Sequence, residues 1–186
     1  MKIAVFCGSS AGNEPQFLAA TQALGQYFVQ HGIDVVYGGG HVGLMGAIAD
    51  SVLQAGGRVY GVMPKHLVDR EIAHQGLTEL TVVADMHERK AKMAAMADAF
   101  VALPGGAGTL EEIFEVWTWA QLGHHQKPCA FYNVDGFYDP LFAMIEKMTA
   151  TGFLKAPYAE MLIRTADPKA LVQAFAGYQP PQNKWG

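Results

Sequence analysis

The sequence predicts an α/β protein, a single-domain doubly wound (Rossmann-like) parallel sheet with helices on both faces. Short β-rich runs alternate with helical patterns nearly to the end of the chain, which is the order of a parallel sheet built from crossovers. Runs such as IAVF, DVVY and AFVAL are continuously apolar, as in strands covered on both faces. Glycine-rich turns follow the first, second and fifth runs, at the sheet edge where such folds bind ligands.

Apolar periodicity places the elements in chain order. Seven strands are predicted: Ile3–Gly8, Asp34–Gly38, Arg58–Met63, Leu80–Ala84, Ala99–Leu103, Cys129–Asn133 and Met161–Arg164. Six helices are predicted: Pro15–Gln30, Gly43–Ala55, Met86–Ala97, Leu110–Leu122, Pro140–Ala150 and Pro168–Ala176. No linker interrupts this alternation, so residues 1–176 are expected to form one nucleotide-monophosphate-binding domain. Residues 177–186 form a terminal tail whose two prolines block regular structure.

Composition excludes several classes of protein. Of the 186 residues, 51% are hydrophobic and 16% charged, which indicates a folded chain rather than a disordered one. The net charge of −4, without any block of like charges, argues against binding to nucleic acid or to an anionic membrane. The longest uncharged stretch, from Pro15 to Ile33, is striped with glutamine and is an amphipathic helix rather than a membrane span.

The chain is expected to be cytoplasmic and to need no metal or cofactor. Its first residues, MKIAVFCGSS, lack the longer apolar core of a signal peptide. Cys7 and Cys129 lie in apolar strands and are predicted to be reduced, buried thiols. Neither cysteine has a partner at metal-ligand spacing.

The run from Gly38 to Gly43 matches GxGxxG, but a nicotinamide or flavin site is disfavoured. The run follows the second strand rather than the first, and no carboxylate stands about 20 residues further on to hold a ribose. The glycine turns also lack the Lys-Ser or Lys-Thr pair of a triphosphate-binding loop.

The run from Pro104 to Glu112, PGGAGTLEE, follows a buried strand and opens a helix. The amides of residues 106–110 should therefore converge at the positive end of the helix dipole, which suits a monophosphate. The same residues also match a capping box, with Thr109 at the N-cap and Glu112 three residues later. Glu112 is accordingly a candidate either for catalysis or for helix capping.

A second capping box, formed by Asp85 and Glu88, precedes the third predicted helix, Met86–Ala97. On that helix Arg89 shares an apolar stripe with Met86 and Met93, where an unpaired guanidinium is costly. Arg89 therefore needs an anionic partner, which is either a structural carboxylate or a ligand.

Three motifs together resemble the LONELY GUY (LOG) family: GGG followed by GLMG at residues 38–46, MHxRK at 86–90 and PGGxGTxxE at 104–112. The resemblance covers residues 2 to about 176. It implies a phosphoribohydrolase that releases a cytokinin base from its riboside 5′-monophosphate, acting as a homodimer without a cofactor. Relatives resembling AMP nucleosidases, which recycle purine nucleotides, leave the substrate open, and a non-catalytic nucleotide or molybdopterin-type carrier is a further alternative.

The resemblance also implies the site residues. Arg89 and Glu112 match the catalytic pair. The matching substrate-binding positions are Ser9, Gly39, Gly40, Met45, Glu71, Lys90, Gly105, Gly106, Ala107, Gly108, Thr109, Leu110, Glu111 and Thr118. Met45, Met86, Met93 and Phe114 are candidates either for an apolar pocket around the N6 substituent or for plain core.

Breaking a ribosyl C1′–N bond develops positive charge on the sugar and negative charge on the departing base. A carboxylate facing C1′, here Glu112, can stabilise the sugar cation and activate water. The pKa of an arginine side chain exceeds 12, so Arg89 is expected to act through its charge rather than as a proton donor.

Overall fold

The computed structural model describes residues 1–70 and 72–184. Its centre is one sheet of seven strands: β1 Lys2–Phe6, β2 Asp34–Tyr37, β3 Val59–Pro64, β4 Glu79–Val83, β5 Ala99–Ala102, β6 Cys129–Tyr132 and β7 Ile163–Thr165. All neighbouring strands pair in parallel, in the order β4-β3-β2-β1-β5-β6-β7. The predicted doubly wound parallel sheet is thus confirmed.

Helices cover both faces of the sheet. They are α1 Pro15–Gln30, α2 Gly43–Gln54, α3 Lys65–Val68, α4 Met86–Met96, α5 Ala107–Gln121, α6 Asp139–Ala150, α7 Ala156–Glu160 and α8 Pro168–Ala176. One core cluster joins the sheet to α1, α2 and α8, and the other joins it to α4, α5, α6 and α7. Helices α3 and α7 were not predicted, because four or five residues are too few for a helical period to show.

The strands are continuously apolar because successive side chains enter opposite clusters. In β1, Ile3 and Val5 belong to the cluster with α1, and Ala4 and Phe6 to the cluster with α5. All four are buried. This two-sided burial fixes the sheet as the middle layer of three.

The ends of α4 and of the chain are held by particular contacts. The Asp85 carboxylate accepts a hydrogen bond from Glu88 N at 2.9 Å, as the capping-box prediction requires. Cys7 and Cys129 are buried and not joined in a disulfide. Residues 178–183 adopt neither helix nor strand, and Lys184 N donates to Gln121 O at the end of α5.

Among residues 1–70 and 72–184, no helix has the length and apolar character that a bilayer crossing requires.

Candidate active site

The candidate site lies where β1 and β5 end side by side. The chain leaves β1 toward α1 on one face and leaves β5 toward α5 on the other, which opens a crevice between the two loops. Gly8 N donates to Pro104 O at 3.0 Å and ties the loops together. A Cβ built on Gly105 would fall 2.9 Å from Gly8 N, so only glycine permits this approach.

The N-terminus of α5 faces this crevice without a side-chain cap. The helix begins at Ala107, its N-cap is Gly106, and no side chain accepts a hydrogen bond there. The predicted N-cap role of Thr109 is therefore wrong. Thr109 lies inside the first turn and is buried, with Oγ1 packed against the space where a Cβ of Gly105 would be. Uncapped amides at a helix start suit an anion.

Gly106 and Gly108 leave open space above this helix start. A Cβ built on either residue would meet no described atom within 4 Å, and Gly106 has an ordinary φ of −95°. Neither packing nor backbone conformation within the described chain explains glycine at these positions. The space suits a group that approaches the amides closely.

We expect Gly106→Val to weaken nucleotide binding and to leave the protein folded. The valine side chain would enter the open space over the amides, so KM for the nucleotide should rise more than about tenfold, with Gly106→Ala in between. Because valine is a poorer N-cap than glycine, the free energy of unfolding should fall, but only by about 0.5–1 kcal/mol. Steady-state kinetics and urea denaturation check both. A valine variant with unchanged KM would place the phosphate elsewhere.

Arg89 and Glu112 face each other beside this helix start. Arg89 Nη2 lies 3.9 Å from Glu112 Oε1, and the two side chains are only 11% and 14% exposed. This distance indicates a charge pair rather than a hydrogen bond. Arg89 Nη1 also lies 3.6 Å from Met86 Sδ, and Arg89 Nε is buried without a hydrogen-bond partner among the described residues.

Gly38, which follows β2, makes room for the guanidinium of Arg89. A Cβ built on Gly38 would lie 1.8 Å from Arg89 Nη2, so any side chain there would displace the arginine. The backbone of the turn after β2 therefore forms the wall against which Arg89 packs.

Burial raises the pKa of Glu112 from 4.5 to about 7. The positive charges of Arg89 and Lys90 oppose this shift, whereas the negative charges of Glu111 and Glu115 add to it. A carboxylate with a pKa near 7 can exchange protons at neutral pH, as acid–base catalysis requires.

Lys90 bridges two carboxylates of α5. Its Nζ donates to Glu111 Oε1 and to Glu115 Oε1, the latter at 3.2 Å. These hydrogen bonds, that to Glu111 above all, raise the pKa of Lys90 and keep it charged. Glu115 is not among the predicted site residues. The signal was available, because Glu115 stands four residues after Glu111 and so shares its side of the helix.

The turn after β2 contributes the second group of glycines. Gly39 has a φ of +83°, which favours glycine, and a Cβ on Gly40 would fall 2.7 Å from Met45 Cε. Gly43 at the start of α2 packs on the first loop, since a Cβ there would lie 2.4 Å from the carbonyl carbon of Ser9. The three glycine turns thus meet at one edge of the sheet.

Not every predicted position joins this group. Glu71 lies outside the described residues. Thr118 is exposed on α5, six residues and so about 9 Å along the helix axis from Glu112. Met93 is buried in the core below α4, whereas Met86 is exposed near Arg89.

A cavity of about 290 Å³ opens beside the loops. Its walls include Ser9, Phe17, Leu44, Gly105, Gly106 and Phe137. Among the described residues, no cluster of three or more His, Cys, Asp or Glu side chains could hold a metal ion.

Comparison with known proteins identifies the family. Residues 45–175 match the family model described as "Possible lysine decarboxylase". The chain is 50% identical over 95% of its length to a probable cytokinin riboside 5′-monophosphate phosphoribohydrolase of Oryza sativa, LOGL1, and covers 79% of that relative. It is 49% identical over 96% of its length to the Arabidopsis thaliana phosphoribohydrolase LOG7, and covers 82% of it.

Solved structures agree on the fold. The molybdenum cofactor binding protein of Rippkaea orientalis superposes with a TM-score of 0.71 at 20% identity, covering 94% of each chain. The molybdenum cofactor carrier protein of Chlamydomonas reinhardtii gives a TM-score of 0.70 at 21% identity, with 93% of this chain and 94% of the carrier covered. At such identities the likeness concerns the fold alone. The sequence matches decide the family: this chain belongs to the LONELY GUY family, whose rice and Arabidopsis members carry the name of cytokinin riboside 5′-monophosphate phosphoribohydrolases.

Proposed function

We propose that this chain hydrolyses the N-glycosidic bond of N6-modified adenosine 5′-monophosphates, releasing the free cytokinin base and ribose 5-phosphate. The observation that carries the proposal is the Arg89–Glu112 pair, nearly buried beside an uncapped helix start. Phosphate binding alone needs neither side chain. Relatives named for this activity at 49–50% identity support the same conclusion.

In the proposed reaction the phosphate binds the amides at the start of α5, where the dipole and open glycines favour an anion. Glu112 faces C1′, stabilises the positive charge that develops on the ribose as the C1′–N bond breaks, and takes a proton from the water that bonds to C1′, while the departing base takes up a proton from solvent. Arg89 holds its charge next to Glu112 and keeps more of that group ionised. Lys90 and Glu111, the sequence neighbours of Arg89 and Glu112, are proposed to contact the substrate.

A product assay tests the function. Purified protein would be incubated with isopentenyladenosine monophosphate, with AMP and with isopentenyladenosine, and the products separated by chromatography. We expect free base and ribose 5-phosphate, fastest from the N6-modified nucleotide and none from the riboside. Faster turnover of AMP would make the chain a purine nucleotide hydrolase, and binding without any release of base would make it a carrier.

We also propose a cytoplasmic homodimer. Thr118 matches a substrate-binding position but is exposed and far from Glu112 along α5, so it would serve the site of a second copy. Val82 and Met86 are exposed apolar side chains, 50% and 37% exposed, which a second copy could cover. Light scattering coupled to size-exclusion chromatography would show about twice the mass of one chain, and a monomer that retains activity would contradict this proposal.

We expect activity to rise with pH through about 7. The proposed base is the Glu112 carboxylate, whose pKa burial raises to about 7, so kcat/KM should fall about tenfold from pH 8 to pH 6. Glu111→Gln serves as the diagnostic variant. It removes a negative charge that raises the pKa of Glu112, so the limb should move to lower pH. If the acid limb of the pH profile stays in place in Glu111→Gln, the titrating group is the substrate phosphate rather than Glu112.

A further inference from the structure

Two buried tyrosine hydroxyls support the two loops that carry the site. Tyr37, the last residue of β2, is fully buried and donates a hydrogen bond to Gly40 O at 2.9 Å. Tyr138, which precedes α6, is 2% exposed and donates to Leu103 O at 2.5 Å. Each acceptor belongs to a different loop, and none of the motifs in the sequence contains either tyrosine.

Tyr37 fixes the turn against which Arg89 packs. Its hydroxyl reaches across the turn from residue 37 to residue 40 and so holds Gly38 between two anchored points. Gly38 is the residue whose missing side chain makes room for Arg89 Nη2. The far side of the turn is tied down as well, because His41 N donates to Ile72 O and His74 N donates to Gly39 O. A loosened turn would therefore displace the guanidinium from Glu112.

Tyr138 fixes the loop that leads into α5. Its acceptor, Leu103 O, comes directly before the segment 104–106 at the mouth of the helix. The ring of Tyr138 lies edge to face with Phe131 at 4.8 Å and with Phe137 at 4.9 Å. Its backbone N–H donates to the side chain of Asn133 at 2.7 Å. The hydroxyl is thus held rigidly where it meets the loop.

Both hydroxyls are suited to act as permanent donors. Burial raises the pKa of Tyr37 and of Tyr138, so each stays protonated at neutral pH. Phenylalanine would fill the same space and leave a buried carbonyl without its donor, which allows the loop to shift. The hydroxyl can therefore be tested apart from the ring.

We propose, on the basis of the function proposed above, that Tyr37 and Tyr138 are positioning residues for different steps of the reaction. Tyr37 seats Arg89 beside Glu112 and serves the breaking of the N-glycosidic bond. Tyr138 holds the loop at the start of α5 and serves binding of the substrate phosphate. The two hydroxyls act through backbone carbonyls and do not touch the substrate themselves.

Steady-state kinetics with isopentenyladenosine monophosphate separate the two roles. Tyr37→Phe should lower kcat about tenfold and change KM less than about twofold, because a small displacement of a catalytic group slows the chemical step. Tyr138→Phe should raise KM about tenfold and change kcat less than about twofold. Tyr158→Phe is the matched control, a buried tyrosine on α7 outside both loops, and should change neither constant by more than about twofold.

Hydrogen–deuterium exchange gives a readout that does not depend on turnover. Peptides spanning residues 38–46 should exchange faster in Tyr37→Phe, and peptides spanning 103–110 faster in Tyr138→Phe, each relative to Tyr158→Phe. If the wild type releases no base, the proposed function fails while the exchange data still test the two supports. Exchange like that of the control in both variants, or an equal loss of kcat in both with KM unchanged, would overturn the inference.

Discussion

Glu112→Gln should lower kcat for isopentenyladenosine monophosphate by about 10²–10⁴-fold, because it removes the only group proposed to activate water and to face the ribose cation. The amide has nearly the shape of the acid and cannot accept a proton, so KM should change little. Single-turnover and steady-state assays of base release check this. Retention of more than a tenth of the wild-type kcat would remove Glu112 from the reaction.

The same variant carries its own control for folding. Burial raises the pKa of Glu112 from 4.5 in the unfolded chain to about 7 in the folded one, so the folded state binds this proton more tightly. Ionising this buried carboxyl therefore lowers the free energy of unfolding. This destabilisation is absent below about pH 4.5, grows as the pH rises to about 7, and stays constant above that. Glutamine removes this destabilisation, and we expect a gain of about 1–3 kcal/mol in the free energy of unfolding at pH 8 and almost none at pH 4.5. An inactive but more stable variant would show a catalytic role.

Arg89→Ala should lower kcat about 10²–10³-fold, since it removes a positive charge fixed next to the reacting groups. It should also move the acid limb of the pH profile above 7, because Arg89 is the largest influence that lowers the pKa of Glu112. The shift of the limb separates an electrostatic role from a loss of packing.

Arg89→Lys is the matched control for this substitution. Lysine keeps the charge but lacks the planar fork that packs against Gly38, so we expect an intermediate rate and a limb close to that of the wild type. A limb that stays near pH 7 in Arg89→Ala would mean that the arginine does not act on Glu112.

The fold followed from the sequence because the strands are buried on both faces. IAVF and AFVAL contain no polar residue, which predicts strands covered on both faces in the middle of a parallel sheet. The structure places these runs in β1 and β5. The predicted start of α5 was wrong for a physical reason. TLEE matches a capping box, but glycines before it let the helix begin three residues earlier than predicted, at Ala107 rather than Leu110, with Thr109 turned inward onto Gly105.

A site residue was predictable only where the residues around it in the same motif determine its surroundings. Arg89 was expected to need an anion on the apolar side of α4, and the structure supplies Glu112 at 3.9 Å. Tyr138 was missed because its contact depends on how separate elements pack, whereas the local spacings of Tyr37 to Gly40 and of Glu115 to Glu111 were present in the sequence and were overlooked. The bond from Tyr138 to Leu103, for example, spans 35 residues, and no local pattern encodes it.

The central place of β1 in the sheet has a consequence for synthesis on the ribosome. Lys2 pairs with Asp34, but the other edge of β1 pairs with β5, where Ile3 meets Ala99. At about 5–20 residues per second, roughly 100 residues take about 5–20 s to make, and for that time an apolar strand edge has no partner. Because α5 follows β5 directly, the same event that closes this edge brings Glu112 toward Arg89. A nascent chain is therefore both most prone to aggregate and still without its proposed catalytic pair until it has grown past Gln121.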